Sequence, residues 1–304
     1  MPVQKPYPRG TRNVACHHFV HFRARAGSVP ARKTTTSHLQ IAQVQILGGI
    51  RVEIGGRSLG KIFRAPLQAC HWRAAANMLT VYRNPIDGFR RYLFAAGSYP
   101  ATISLNGPKG ILPVQTYTHH DVLTINEIFC RKDYPIKPDA KVVVDLGSNI
   151  GLSALYFLTH APEAFVYCYE PLPSNIEKLK RSLSDWGGRY EINECAVGTV
   201  EGDVRFSFEE TGRYGGVTVD VGETMTVPCR KATDEIQRIL DKHGRIDVLK
   251  IDIEGLEEAV LNSLPADQLA RIDNIYVEAQ IFRNDLPHPY RFRRYAGIAQ
   301  FLTS

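Results

Sequence analysis

The run Val142-Val143-Val144-Asp145-Leu146-Gly147-Ser148-Asn149-Ile150-Gly151 sets the fold of this chain. An apolar stretch carries one acid, a glycine-bearing turn follows, and residues 152–160 continue as an amphipathic segment. The pattern predicts a strand running through a tight loop into a helix. A run that is apolar on both faces belongs in a parallel sheet covered by helices, where both faces are kept from water. A loop at a helix N-terminus presents backbone N–H groups, so the expected occupant is an anionic group, a carboxylate or a phosphate, of a nucleotide-like ligand.

Working outward from that run, strand and helix patterns alternate. Further strands are expected at 165–169, 191–195, 204–208, 225–228, 246–251 and 272–278. Helices are expected from Ser174, with Glu177 completing a capping box, and over 233–240 and 254–264, the last stopped by Pro265. Upstream, an amphipathic helix opens at Met78, and two β pieces at 101–105 and 110–117 flank the turn Asn106-Gly107-Pro108-Lys109-Gly110. A helix over 119–129 leads to the decisive strand, and a helix over 295–302 is expected to end the chain. Strands alternating with helices of this length predict an α/β fold with a doubly wound, mostly parallel sheet.

Composition sets the outer limits. The 304 residues suffice for one large α/β domain with an appendage, and no apolar run reaches membrane-spanning length. Six cysteines are scattered without a Cys-x-x-Cys pair, which favours reduced thiols in a cytoplasmic chain over disulfides or zinc, and no metal is expected. Charge is unevenly spread. No acid precedes Glu53, against Lys5, Arg9, Arg12, Arg23, Arg25, Arg32, Lys33 and Arg51; removing those eight charges from the net +6 leaves the rest near −2. The expected organisation is a basic, partly disordered extension over 1–77, a helix and β lead-in over 78–140, and the ligand-binding domain over 141–304. His17, His18 and His21 share the extension but lack any helical pattern that would gather them around a metal.

The ligand can be narrowed. In open α/β sheets ligands lie over the carboxyl ends of the strands. Glu170 closes the second strand nineteen residues after Gly151, which is where a carboxylate accepts ribose hydroxyls. A nicotinamide dinucleotide calls for G-x-G-x-x-G, and a nucleoside triphosphate for a Lys-Ser/Thr pair; this loop has neither. Asp145-x-Gly147-x-Asn149-x-Gly151 with Glu170 fits S-adenosyl-L-methionine better, with the glycines near the methionine end and Asp145 accepting from its ammonium group.

Three ordered blocks resemble the FkbM-type methyltransferases: residues 144–151 with Tyr169-Glu170-Pro171-Leu172-Pro173-Ser174-Asn175, then Glu194-Cys195-Ala196-Val197-Gly198, then Leu249-Lys250-Ile251-Asp252-Ile253-Glu254-Gly255. The upstream stretch His119 to Phe129 is similar to members of that group as well. The resemblance implies a Rossmann-like class I methyltransferase that transfers the methyl of S-adenosyl-L-methionine to a hydroxyl of a sugar, glycan or secondary metabolite. It also implies that Asp145, Gly147, Asn149 and Gly151 cradle the methionine end, that Glu170 takes the ribose, and that Asn175, Ala196 and Val197 lie near the ribose and adenine. The chain departs from the family pattern at Thr199 and at Ala232-Thr233-Asp234. Such sheets also finish with a β-hairpin, and the helical reading of 295–302 leaves that hairpin missing here.

An alcohol must shed its proton to attack a methyl group, which calls for a positioned base. Asp252, at the end of a central strand, is the first candidate, and His120 the second if its helix covers the pocket. Glu278 is expected to line the acceptor site, and Lys250, out of place in an apolar strand, to pair with a buried acid. The expected partner is a small-molecule or glycan acceptor, with no specific nucleic acid. Two other readings stand beside this one. A nucleic-acid methyltransferase draws on the basic extension but lacks an Asn/Asp-Pro-Pro-Tyr/Phe motif; a non-catalytic binding protein of the same fold draws on the missing hairpin.

Overall fold

A computed structural model of the chain describes residues 53–54, 57–58, 69–209, 215–218 and 222–303. Most of the basic extension, including its histidines, lies outside these residues. A two-residue pair, β1 (Glu53–Ile54) and β2 (Arg57–Ser58), opens the described part. Helices α1 (Ala69–Val81) and α2 (Pro85–Phe94) replace the single helix expected from Met78. Asn84 caps α2 by accepting from the Asp87 N–H at 3.2 Å, and Pro85 takes the first turn, so the chain restarts there and does not continue. The hairpin β3 (Ala101–Gly107) and β4 (Gly110–Thr116) follows, then α3 (His119–Ile125), which widens into a π-helical turn over Asn126–Arg131. Such turns often accompany functional sites.

The central sheet begins with the decisive run as β5 (Val142–Leu146), buried at every position, followed by α4 (Leu152–His160). Next come β6 (Phe165–Tyr169), α5 (Pro173–Ser182) and β7 (Tyr190–Asn193). The capping box at Ser174 does not form. Pro173, with its fixed φ, occupies the first helical turn and makes Leu172 the cap, while Glu177 pairs with Arg181 one turn on. After β7 the chain leaves the central sheet. β8 (Ala196–Gly198), β9 (Gly202–Phe208), β10 (Gly215–Gly216) and β11 (Glu223–Lys231) form a separate sheet in the order β10-β9-β11-β8. The strands expected at 204–208 and 225–228 therefore belong to this second sheet.

The chain returns through α6 (Ala232–His243) to β12 (Ile246–Ile251), then α7 (Glu257–Ser263), α8 (Ala266–Leu269) and β13 (Ile272–Val277). The missing hairpin is present, which corrects the helix expected at 295–302. β14 (Arg291–Tyr295) and β15 (Ile298–Leu302) pair antiparallel across Ala296-Gly297. Both turn residues adopt positive φ, 53° and 98°, which matches the right-handed twist of a two-residue hairpin. The central order is β14-β15-β13-β12-β5-β6-β7, with β15 inserted antiparallel beside β13 and the remaining five strands parallel. Helices bury both faces. Phe157, Leu155 and Val143 belong to the core on one side; Leu146, Ile239 and Phe301 belong to the core on the other. Among the described residues no helix is long and apolar enough to cross a membrane.

Candidate active site

The direction in which strands are added reverses between β5 and β12, so the crevice expected of such sheets opens over the ends of those two strands. A cleft does open there. Its floor is the loop Gly147 to Ile150, one wall carries Glu170, Asn175, Ala196 and Val197, and the opposite wall carries Asp252, Glu254 and Glu278. The α3 region contributes Glu127 and Tyr134, the second sheet Phe206 and Val217, and the C-terminal hairpin Ala296 and Ile298.

The loop is held from beneath. Gly147 and Ser148 donate their N–H groups to the Tyr169 carbonyl at 3.1 and 2.9 Å. Asn149, left-handed at φ 50°, donates its N–H to Glu170 Oε2 at 3.0 Å, and its own side-chain oxygen accepts from Ile150 N–H at 2.8 Å. The Gly151 N–H donates to the Ser148 carbonyl at 2.8 Å. Every amide from 147 to 151 is thus used inside the protein, so the expected cradle of loop amides for an anion is not there. The donors left for a ligand are those of Leu152 and Ser153 in the first turn of α4, which no intrahelical carbonyl serves and whose residues line the cleft. Gly147 is needed for a second reason. At φ 81° a Cβ would overlap the Asp252 carbonyl oxygen, so only glycine lets β5 and β12 end this close together. At Gly151, φ 89°, a Cβ would sit 2.6 Å from Leu179 Cδ1, so that glycine serves the packing of α4 on α5 and does not line the cleft.

Glu170 is 5% exposed and serves as the latch of the loop. Besides the Asn149 amide it accepts from Leu172 N–H at 3.0 Å and from Asn175 Nδ2 at 3.3 Å. Burial nevertheless pushes its carboxyl up to about 7. Three bonds leave about one of a carboxylate's roughly four lone-pair sites for a ligand hydroxyl.

Asp145 and Lys250 form a buried unit beneath the loop. Asp145 is fully buried; its Oδ2 accepts from Ser153 Oγ at 2.6 Å and its Oδ1 lies 3.1 Å from the Lys250 ammonium. The same ammonium reaches Asp252 Oδ2 at 3.2 Å and donates to the Gly147 carbonyl at 3.0 Å. Lys250 thereby joins the glycine loop to the cleft carboxylate, and the acids around it hold its proton firmly despite burial. Asp145 does not reach the cleft, so a ligand ammonium group has no direct path to it.

Two sheet bonds fix the opposite wall. The Asp252 N–H donates to the Leu146 carbonyl at 3.1 Å, and the Glu278 N–H to the Ile251 carbonyl at 3.0 Å, so the ladder extends one residue past each strand. Both carboxylates stand on the rim as a result. The Tyr134 hydroxyl lies 3.5 Å from Glu278 Oε2. The charge on Asp252 raises the Glu278 carboxyl to about 8, with burial second; its side chain is solvent-accessible, so the neighbouring charge is the cause that counts. His120 is exposed in the first turn of α3 and does not line the cleft, facing His119 at 6.0 Å between ring centres. Glu257 accepts from the Gly255 N–H with both oxygens, at 3.0 and 2.9 Å, and so caps the start of α7.

Glu127, Arg131, Tyr134, Phe206, Val217 and the hairpin turn join the cleft beyond the residues expected from the sequence. For the turn the sequence holds a signal: Ala296-Gly297, a glycine-bearing pair between two short segments rich in aromatic and aliphatic residues. For Tyr134 and Phe206 there was none, since each reaches the cleft only through tertiary packing.

A parallel sheet in this strand order, with a glycine loop, an acid after the second strand and an inserted antiparallel last strand, defines the Rossmann-like methyltransferase class. The sequence profile of the methyltransferase FkbM domain matches residues 145–302, and the chain belongs to that family. Among its relatives, Methyltransferase 1 of Beauveria bassiana is 27% identical over 177 residues, covering 50% of this chain and 70% of that protein. The 31-O-demethyl-FK506 methyltransferase FkbM of Streptomyces tacrolimicus is 22% identical over 192 residues, covering 53% and 73%. The AMB antimetabolite synthetase AmbE of Pseudomonas aeruginosa is 26% identical over 174 residues; these are 56% of this chain but 8% of the much longer synthetase.

Proposed function

We propose that the chain is an S-adenosyl-L-methionine-dependent O-methyltransferase acting on a hydroxyl of a small molecule, a sugar or glycan or a secondary metabolite. The observation that carries this reading is the pairing, across the β5/β12 crevice, of a glycine loop latched by Glu170 with the rim carboxylate Asp252. The residues suit the cofactor. The absence of spare loop amides disfavours a phosphate, whereas the first-turn donors of α4 suit a single carboxylate. Glu170 keeps acceptor capacity for a ribose hydroxyl beside Asn175, and Ala196 and Val197 offer an apolar surface for a flat base. Gly147 and Asn149 shape the floor between them.

When bound, the cofactor supplies an electrophilic methyl group on a sulfonium. The chain's own work is to orient the acceptor oxygen towards that methyl and to take its proton. Asp252 is the proposed base: backbone and Lys250 both fix it, yet it opens on the cleft. His120 has no comparable placement.

The test pairs two measurements. Calorimetry with S-adenosyl-L-methionine should give micromolar binding, and labelled methyl donor offered with a panel of sugars and small alcohols should yield a methyl ether. Absence of both heat and thermal stabilisation would remove the cofactor and, with it, the reaction.

A further inference from the structure

The wall opposite Glu170 holds more carboxyl groups than the protein pairs with cations. Lys250 is shared between Asp145 and Asp252, and Arg131 between Asp133 and Glu127. Glu278 has no basic group in an ion pair with it among the described residues, and it shares the rim with Asp252 because consecutive ladder bonds end β12 and β13 side by side. This surplus stands out in a chain whose net charge is +6. It lies across the crevice from Glu170, so a cofactor whose ribose is held at Glu170, as proposed above, would present its sulfonium to this wall.

Resting on the methyltransferase reading above, we propose that Asp252 and Glu278 form a sulfonium-selective wall, so that the site takes the cationic methyl donor in preference to its neutral thioether product, S-adenosyl-L-homocysteine. The two ligands share their carboxylate, amine, ribose and adenine. They differ by one methyl and one positive charge, so a difference in affinity reports on the charge at that wall. Selectivity of this sign relieves product inhibition, because methyl transfer removes the charge that held the ligand.

A second consequence follows from geometry together with proton affinity. Glu278 is faced by Asp252, Glu127 and Glu254, by the Lys250 ammonium and by the Tyr134 phenol; the acids outweigh the cation and raise it to about 8. Below that value Glu278 carries a proton and the wall loses one charge. Preference for the sulfonium therefore strengthens as pH rises from 6 to 9.

The experiment is calorimetric titration of the full chain with S-adenosyl-L-methionine and, separately, with S-adenosyl-L-homocysteine, at pH 6 and pH 9. The wild type should favour the methyl donor about tenfold at pH 9 and much less at pH 6. Glu278→Gln should lower the ratio severalfold and flatten its pH dependence, with the thioether's own affinity little changed. If that variant does not fold, the pH dependence of the wild-type ratio decides alone. Equal affinities at pH 9, or an undiminished ratio in Glu278→Gln, would overturn the sulfonium wall while leaving the cofactor site standing. Binding of neither ligand would instead bring down the methyltransferase reading and this inference with it.

Discussion

The two walls of the cleft are built on opposite plans. The wall that carries Glu170 is saturated: the loop amides, the Glu170 carboxylate and Asn175 bond chiefly to one another, all within two short stretches after β5 and β6. The opposite wall is assembled from distant segments, with Glu127 and Tyr134 from before β5, Asp252 and Glu278 from two later strands, and Ala296 from the hairpin. It keeps charge facing the opening. Under the proposed function, a wall that fits one invariant ligand tolerates internal saturation, whereas a wall that orients an acceptor and moves a proton needs groups still able to interact.

This contrast can be broken at its stiffest point. Gly147→Ala forces a Cβ into the Asp252 carbonyl and an L residue into φ 81°, which should cost at least about 3 kcal/mol in urea unfolding and abolish binding of S-adenosyl-L-methionine. Normal binding would mean that the two strand ends separate readily, and that the rigid wall is not rigid. Glu170→Ala should come next. It strips three buried donors of their acceptor, for a loss of about 2–3 kcal/mol and at least a hundredfold in cofactor affinity by calorimetry. Across the cleft the expectation changes kind. Asp252→Ala should leave cofactor affinity within about tenfold while lowering turnover by about 10²–10⁴, measured with labelled methyl donor on an acceptor that the wild type methylates. Intact turnover would remove Asp252 as the base.

Acidity separates the walls more gently. Because burial lifts Glu170 from the ordinary value of 4.5 to about 7, the folded chain keeps a proton that the unfolded chain has already lost between those values. Stability should therefore fall as pH rises from about 4.5 to 7 and then level, by about 3 kcal/mol from this group. Glu278 adds a contribution of the same sign that extends to about 8. Denaturant midpoints for Glu170→Gln between pH 5 and 8 should show a shallower decline, and an unchanged slope would place the proton elsewhere. The smallest effect is expected at His120→Ala, within about 0.5 kcal/mol in stability and without change in binding, since the residue is exposed and does not line the cleft.

The same contrast explains what the sequence reveals. β5, β6 and β12 match their expected bounds residue for residue, because runs apolar on both faces have few alternatives. The loop and Glu170 are legible because their partners are sequence neighbours or lie at a spacing that the fold dictates. The role of the loop is less legible: its glycines can be read off the chain, but the fate of its amides depends on Tyr169 and Glu170 lying alongside. Residues 295–302, the last residue of β14 and the whole of β15, read as a helix because Ile298, Phe301 and Leu302 also suit a helical stripe, and only the Ala296-Gly297 turn argues otherwise. The departure of β8 to β11 into a second sheet is set by tertiary pairing, which an alternating pattern alone does not reveal.

The C-terminal hairpin does more than finish the sheet. The Tyr295 hydroxyl donates to the Arg131 carbonyl at 3.0 Å and Gln300 Nε2 to the Asp133 carbonyl at 2.8 Å, joining residues 164 and 167 positions apart. Tyr276 fastens its hydroxyl to the Pro135 carbonyl of the same stretch, 141 positions upstream. Contacts that close loops of this size carry a large entropic cost and come slowly. During folding, the glycine loop and its latch can form from neighbouring segments, whereas the opposite rim must wait for both ends of the domain to find each other. A folding intermediate in which the loop is already latched to Glu170, but the opposite rim is not yet assembled, is the kinetic signature that this stitching predicts.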